Sequence, residues 1–288
     1  MLKAASQLRS LIREPGLVVA PGAYDCITAG LIEQAHFPAV YMTGAGTAIS
    51  LGYPDYGLVT MSEMVANAGR IASAVNIPLI SDADTGYGNE LNVTRTVREF
   101  ERAGAAAIHI EDQEFPKRCG HLDDKRIVDR DAFISKIRAA VAARRDPDFT
   151  IIARTDARAV AGLEEALIRA NGAIAAGADA VFVEAPQTIE EVAEIPRRVA
   201  GPCLFNVVGA GKSPLIDFKT AETFGYKIMI VPVLLLSRAV EACESALAAL
   251  RSSSAYPIAP NEQSPRDLFD RFGAKEWDRI RVRPIDKS

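Results

Sequence analysis

Eight short apolar runs, spaced so that a helix-length segment fits after each, constrain this chain more than any other feature. They are Leu17 to Ala20, Ala39 to Met42, Pro78 to Asp82, Ala106 to Glu111, Thr150 to Arg154, Ala180 to Glu184, Cys203 to Val207 and Lys227 to Val231. Most are nearly continuous and rich in Val and Ile, as strands buried on both faces read, which favours a parallel sheet. Helices are expected around Tyr24 to Gln34, Ser62 to Ala74, Asn92 to Ala103, Asp131 to Arg145, Leu163 to Ala176, Ile189 to Val199, Phe218 to Thr223 and Leu235 to Arg251. In the third, Val93, Val97 and Phe100 recur at helical spacing while its charged residues fall elsewhere, giving one packed side and one wet side. Ala103-Gly104-Ala105 and Ala176-Gly177-Ala178 end helices just before the next strand, with glycine supplying the turn. Eight β-then-α units predict a (β/α)8 TIM-type barrel of the α/β class. A doubly wound open sheet is the alternative.

A chain of 288 residues, 49% apolar, suits one barrel-sized domain or two smaller ones, and the regular alternation favours one, over residues 1–251. Beyond Arg251 the rhythm stops. Ser252 to Pro257 and Pro260 read as a connector, and Ser264 to Trp277 as a short amphipathic stretch whose Leu268, Phe269, Phe272 and Trp277 can dock on the same barrel or on a neighbouring subunit. Residues 252–288 are therefore expected to form a C-terminal connector and helical segment. The formal charge of −4 offers no overall drive toward nucleic acid or an anionic membrane, so neither is expected as a partner. The N-terminus lacks the apolar core of a secretory signal and no uninterrupted apolar stretch approaches a membrane span, which predicts a cytoplasmic protein. Cys26, Cys119, Cys203 and Cys243 lie far apart without CxxC pairing, which suggests neither disulfides nor structural zinc.

In a barrel the strand C-termini surround one mouth, so polar residues distant in sequence can meet there. The strand ends present Tyr41 and Thr43-Gly44-Ala45-Gly46, Asp82 and Asp84, Glu111, Arg154, Glu184 and Asn206. The acids of strands three and four are expected to gather a cation. Oxygen ligands without clustered histidines favour Mg²⁺ or Mn²⁺ over zinc. Asp84 reaches the mouth if it lies in the loop or the strand bends; the alternative is that one of the two aspartates caps a helix. The glycines of residues 43–46 would let backbone N–H groups approach an anionic ligand, or make a tight loop. Arg154 can grip a carboxylate bidentately, or form a structural ion pair with Glu184 or Asp156. Lys117-Arg118-Cys119-Gly120-His121 reads as a catalytic lid in which positive neighbours favour thiolate and Gly120 permits bending. His109, inside an apolar strand, reads as a core histidine.

Taken together, Pro21-Gly22-Ala23-Tyr24-Asp25, Met42-Thr43-Gly44, Gly52-Tyr53-Pro54-Asp55, Asp82 to Gly88, His109 to Gln113, Lys117 to His121 and Ala153 to Ala157 resemble the isocitrate lyase and phosphoenolpyruvate mutase superfamily. The likeness runs from Pro21 to the last barrel helix and is strongest to short bacterial lyase and phosphonomutase members. It implies that Asp84 binds Mg²⁺ directly, that Asp82 and Glu111 act largely through metal-bound waters, and that Asp55 completes the polar shell. Thr43, Gly44 and Ala45 would hold a substrate carboxylate with Arg154. Cys119 would be the general acid, with Lys117 and His121 beside it, and Tyr41 a candidate base. Arg118, Gly120, Glu184 and Asn206 would contact substrate. The implied reaction is retro-aldol cleavage of a 2-hydroxy di- or tricarboxylate, of the 2-methylisocitrate or substituted-malate type, to an α-keto acid plus a second carboxylic acid. Phosphonomutases, oxaloacetate hydrolases and oxaloacetate decarboxylases share the scaffold and are alternatives, as is a non-catalytic ligand-binding barrel. Related lyases often carry a hydroxyl or acid soon after the seventh-strand Asn, where this chain has Val207 and Val208. That apolar pair points to a smaller or more apolar malate derivative. Similar proteins form tetramers by exchanging C-terminal helices, so a homotetramer is expected.

Overall fold

The structure, a computed structural model, describes residues 4–259 and 261–282. Pro260 of the expected connector, and the end of the C-terminal segment from residue 283, lie outside the described residues. Eight parallel strands close into a barrel in sequential order: β1 (Val18–Ala23), β2 (Val40–Met42), β3 (Leu79–Asp82), β4 (Ala107–Glu111), β5 (Thr150–Thr155), β6 (Ala180–Val183), β7 (Cys203–Asn206) and β8 (Ile228–Val231). All eight sequence-predicted strands are present, and the open-sheet alternative is excluded by the β1–β8 pairing. β1 continues through Pro21 and Gly22. Pro21 costs the ladder an N–H, and Gly22 lies so close to the Pro232 backbone that a Cβ would collide with it.

Strand residues alternate between two cores. Leu8, Val18, Ala20, Tyr41, Ile80, Ile152, Phe182, Leu204, Ile228 and Ile230 fill the barrel interior, while residues such as Met42, Ile108, Ile110, Ile151, Val181 and Phe205 face the helices. The same period of two carries the inward row upward from Ile80 to Asp82, from Ile152 to Arg154 and from Leu204 to Asn206. The mouth is thus the polar end of an otherwise apolar column. Strand register fixes its pairs: Asp82 lies beside His109, and Glu111 beside Arg154.

A helix that the apolar pattern did not disclose, Ala4–Arg13, packs on the opposite end of the barrel. Its Leu8 is fully buried, and its Ser6 and Arg9 bond to Asp148 and Asp179, which precede β5 and β6. Short helices Gly44–Ser50 and Ala157–Ala161 were likewise unforeseen. The chain divides into two compact units, one ending at Ser237 and one beginning at Arg238, and the helix Leu234–Ser253 runs through the division. The second unit adds helices Pro265–Arg271, capped by Ser264, and Ala274–Val282. Among the described residues no helix is long and apolar enough to cross a membrane.

Candidate active site

β3 ends at Asp82, and Asp84 follows in the turn with a left-handed backbone, φ 44°, a conformation that aspartate tolerates better than most residues. The Asp84 amide donates to Asp82 Oδ1 at 2.9 Å, which fixes the turn. Neither aspartate caps a helix; Asn89 caps the helix that follows. Lys117 Nζ reaches down from the lid to 2.9 Å from Asp84 and 2.5 Å from Asp55. Lys117 is buried, and the surrounding carboxylates outweigh desolvation and raise its pKa well above the usual lysine range. Burial, opposed by Lys117 and reinforced by Asp82 and Asp55, lifts the Asp84 carboxyl to about 6. Asp82 moves the other way. Burial disfavours its charge, but His109, Lys117, Arg154 and the Asp84 amide together hold it at about 2.

The three acids are neighbours but do not form a three-carboxylate cage: among the described residues no group of three or more His, Cys, Asp or Glu converges on a metal position. Asp84 is engaged by Lys117, Asp82 by the Asp84 amide, and Glu111 lies 3.3 Å from Arg154 Nη1. Even so, both Glu111 carboxylate oxygens are buried without a hydrogen bond, and burial lifts this carboxyl well above the usual range despite the facing Arg154 and Lys117. An all-oxygen set with such orphaned acceptors fits a hydrated Mg²⁺, which keeps several waters and takes one or two carboxylates directly.

Beneath the acids lie Tyr41 and His109. Their Oη and Nε2 atoms are 2.8 Å apart, the rings stack at 15°, and the His109 edge meets Phe182. Burial, with Asp82 adding to it, pushes the Tyr41 phenol well above its usual range, so Tyr41 stands protonated. Desolvation drops His109 to about 4, so its ring is neutral at pH 7, as a core histidine should be.

Thr43 caps the helix Gly44–Ser50, its hydroxyl accepting from the Gly46 amide, so residues 43–46 form a helix start and not a free loop. Gly44 is required for space: a Cβ there would run into the Asp82 carboxylate. Ala45 is half-buried beside it.

Arg154 occupies the centre of the mouth. Its Nε donates to Asp156 Oδ2 at 3.0 Å, Glu111 and Glu184 stand 3.3 and 3.7 Å away, and the guanidinium lies 5.0 Å from the Phe182 ring centroid. Desolvation opposes its charge, but Asp156, Glu111 and Glu184 outweigh it and raise its pKa well above the usual range. Glu184 also accepts from Asn206 Nδ2 at 3.3 Å.

The lid, residues 113–128, is tied at its base by a Gln113–Ile127 bridge and by Gln113, whose side chain bonds both the amide and the carbonyl of Arg118. Gly120 packs so closely on Glu184 and Arg154 that a Cβ would overlap both, so close approach, not bending, demands glycine here. His121 Nδ1 accepts from the Lys212 amide at 3.0 Å, and its Nε2 is 3.5 Å from Glu184. Arg118 is turned to the surface, 3.8 Å from Asp124, and is not brought to the mouth with the others. Cys119 is half-buried, and burial, reinforced by Asp55, pushes its thiol up. The expected thiolate is therefore corrected to a thiol: Lys117 is spent on Asp55 and Asp84, and Arg118 faces away. Val207 also departs from expectation. It packs toward the helix layer, leaving only Val208 near the seventh-strand exit.

Sequence reasoning overlooked a second buried tier behind the mouth. Asp112 accepts from Thr155 Oγ1 at 2.6 Å, from the Asp156 amide at 2.8 Å and from Arg169 at 3.1 Å, and Lys125 Nζ donates to Asp156 Oδ1 at 2.8 Å. The adjacency of Asp112 to Glu111 was its one available signal.

A parallel (β/α)8 barrel with acids, a guanidinium and a lidded thiol at its C-terminal mouth defines a class of enzymes that process small carboxylic acids. The phosphoenolpyruvate phosphomutase family model matches residues 8–251, and the chain belongs to that family, within the isocitrate lyase and phosphoenolpyruvate mutase superfamily. It is 46% identical over 252 residues to 2,3-dimethylmalate lyase of Eubacterium barkeri, covering 87% of each chain. It is 43% identical over 273 residues to 2-methylisocitrate lyase of Aeropyrum pernix, covering 94% of this chain and 88% of the relative. Among solved structures, oxaloacetate acetylhydrolase with 3,3-difluorooxalacetate superposes with a TM-score of 0.93 at 39% identity, covering 96% of each chain. Phosphonopyruvate hydrolase with oxalate and Mg²⁺ superposes at 0.89 and 30% identity, covering 98% of this chain and 99% of the other.

Proposed function

We propose that this chain is a Mg²⁺-dependent carbon–carbon lyase that cleaves a methyl-substituted malate-type 2-hydroxy acid into an α-keto acid and a second carboxylic acid. The observation that carries the reading is the half-buried Cys119 of the lid, a free thiol that burial pushes up and that feels the mouth residues Asp55, Glu184 and Arg154. Cleavage leaves an electron pair on the carbon of the departing acid, and a thiol so placed can deliver the proton that quenches it. The similarity to 2,3-dimethylmalate lyase and 2-methylisocitrate lyase supports the same chemistry.

Asp84 would hold the metal directly, with Asp82 and Glu111 reaching it through water and Asp55 beside them; Mn²⁺ suits the same oxygens. Bound there, the ion supplies stabilisation of oxyanion charge. Thr43, Gly44 and Ala45, of which Gly44 packs on the Asp82 carboxylate, would hold the substrate carboxylate together with Arg154. Glu184 and Asn206 orient the second half of the substrate, and Gly120 and His121 close the lid on it. The proton of the 2-hydroxyl passes toward Tyr41, whose contact with neutral His109 offers it an acceptor 2.8 Å away. The C2–C3 pair moves to C3, and Cys119 returns a proton to that carbon.

The test is incubation with Mg²⁺ and a panel of 2-hydroxy di- and tricarboxylates that includes 2,3-dimethylmalate. Release of α-keto acid, reduced at least a hundredfold in Cys119→Ser and abolished by EDTA, is expected. Oxalate or CO2 from oxaloacetate, or C–P bond formation, without any α-keto acid from the panel would replace this reading with the hydrolase, decarboxylase or mutase alternatives. Binding of oxalate with Mg²⁺ but no turnover would leave a ligand-binding barrel.

Assembly as a homotetramer belongs to the same proposal. An apolar groove of about 260 Å³, lined by Leu31, Phe37, Val207, Ile216, Met229 and Val231 among others, lies along β1 and β8. The second unit leaves Leu247, Phe269 and Trp277 exposed, and an apolar helical segment from another copy is the occupant such a groove suits. A monomeric mass in solution would refute this part. The family's small-acid chemistry suits a cytoplasmic location.

A further inference from the structure

Lys125 sits in the lid, yet its side chain is 1% exposed and has left the surface altogether. Its Nζ donates to the Gly120 carbonyl within the lid and to Asp156 Oδ1 at the end of β5. Asp156 is the carboxylate that orients Arg154: its Oδ2 accepts from Nε at 3.0 Å, and its Oδ1, shared with Lys125, accepts from Nη2 at 3.4 Å. The Gly120 segment so anchored is the one that packs against the Arg154 and Glu184 side chains. Desolvating a buried ammonium is offset only by partners held in good geometry, so a lysine kept here constrains both of them.

We propose that Lys125 is a positioning residue that couples closure of the lid to the setting of Arg154. When the lid is down, one ammonium bonds the lid backbone and the carboxylate that holds the guanidinium. When the lid lifts, Asp156 loses this partner and Arg154 gains freedom to turn toward it. Substrate carboxylate is thereby gripped in the catalytic orientation only under a closed lid. The catalytic half of this inference rests on the lyase reading; the conformational half does not.

Lys125→Met tests it, since the methionine is apolar and leaves Asp156 still paired with Arg154. Iodoacetamide modification is followed by peptide mass at Cys119 in the lid and at exposed Cys26, which serves as an internal reference. The Cys119 rate relative to Cys26 should rise at least tenfold, and kcat on the substrate found by the panel should fall about tenfold or more, with KM changing less. An unchanged Cys119 rate overturns the proposal. A raised rate with unchanged kcat overturns the coupling to Arg154. If Lys125→Met does not fold, Lys125→Gln keeps a donor for Gly120 without the charge and should show the same rise at Cys119. Should no substrate turn over in the wild-type protein, the lyase reading fails while the alkylation ratio still decides whether Lys125 clamps the lid.

Discussion

The two ends of the barrel solve the same electrostatic problem in different ways. At the N-terminal end, Asp179 accepts from Arg9, from Arg144 and from the Ile151 amide, and its carboxylate and both guanidiniums are only partly buried. At the mouth, Asp82, Asp84, Glu111, Lys117, Arg154, Asp156 and Glu184 are all buried, their pairings are less complete, and the Glu111 carboxylate accepts no hydrogen bond. A protein selected for stability alone would pair or discard such charges, because burying an ion costs more than its partner usually returns. Charges kept incompletely satisfied at one end, beside a satisfied set at the other, mark where the fold has given up stability for chemistry.

The comparison breaks most easily at Arg154. Arg154→Ala removes a preorganised contact to substrate and takes from Glu111 the cation that acts on it most strongly, so kcat/KM for the cleavage reaction should fall by roughly 3 to 4 kcal/mol, several-hundredfold. Steady-state kinetics on a folded variant measures it, and near-wild-type turnover would show that the mouth charges are structural. The opposite end predicts the opposite partition. Leu8→Ala opens a cavity under the barrel interior and should lower unfolding free energy by about 3 kcal/mol with kcat unchanged. Denaturant titration and kinetics on the same preparation separate the two effects.

The difference between the ends also explains what could be read in advance. Strands such as Ile108 to Glu111 announce themselves because residues buried on both faces form unbroken apolar runs, and a period of two then points Glu111 and Arg154 to the same mouth. What was not legible depends on packing across the chain. Lys125 stands in Asp123-Asp124-Lys125-Arg126, where nothing separates it from a solvated charge run until Asp156 is placed behind it. The neighbours of Cys119 in sequence favour a thiolate, but the field at sulfur depends on where Lys117 and Arg118 point. The helix Ala4–Arg13 shows only Leu8, Leu11 and Ile12 as an apolar stripe, too few to foresee that it covers the barrel's N-terminal end.

A smaller effect sharpens the account of the mouth through pH. His109 is held at about 4, below the value near 6.5 of an unfolded histidine. Between these limits the unfolded chain binds the proton and the folded one does not, so the stability associated with neutral His109 is complete above about pH 6.5 and is lost as pH falls toward 4. Between pH 7 and 5 this contributes about 2 kcal/mol. Relative to wild type, His109→Gln should show that much less loss of unfolding free energy over the interval. Parallel pH profiles for the two proteins would show that His109 is protonated in the folded state and that the mouth is wetter than its burial implies.

The smallest effect comes from the far end, at Arg9. Its guanidinium bonds Asp179 Oδ1 at 2.6 Å and also meets the carbonyls of Pro147, Asp148 and Phe149. Arg9→Met removes all of these, yet it strands no buried charge, since Arg144 remains 2.6 Å from Asp179 Oδ2 and the Ile151 amide 2.8 Å from the same oxygen. The expected cost is about 1 kcal/mol in unfolding free energy, the scale of a partly exposed ion pair, with kcat and KM unchanged. This is the inverse of Arg154→Ala, in which one guanidinium serves several buried carboxylates with few substitutes. If Arg9→Met instead cost as much as Leu8→Ala, the ion pairs of the N-terminal end would carry as much stability as its apolar packing. The contrast between a satisfied end and a poised one would then rest on function alone.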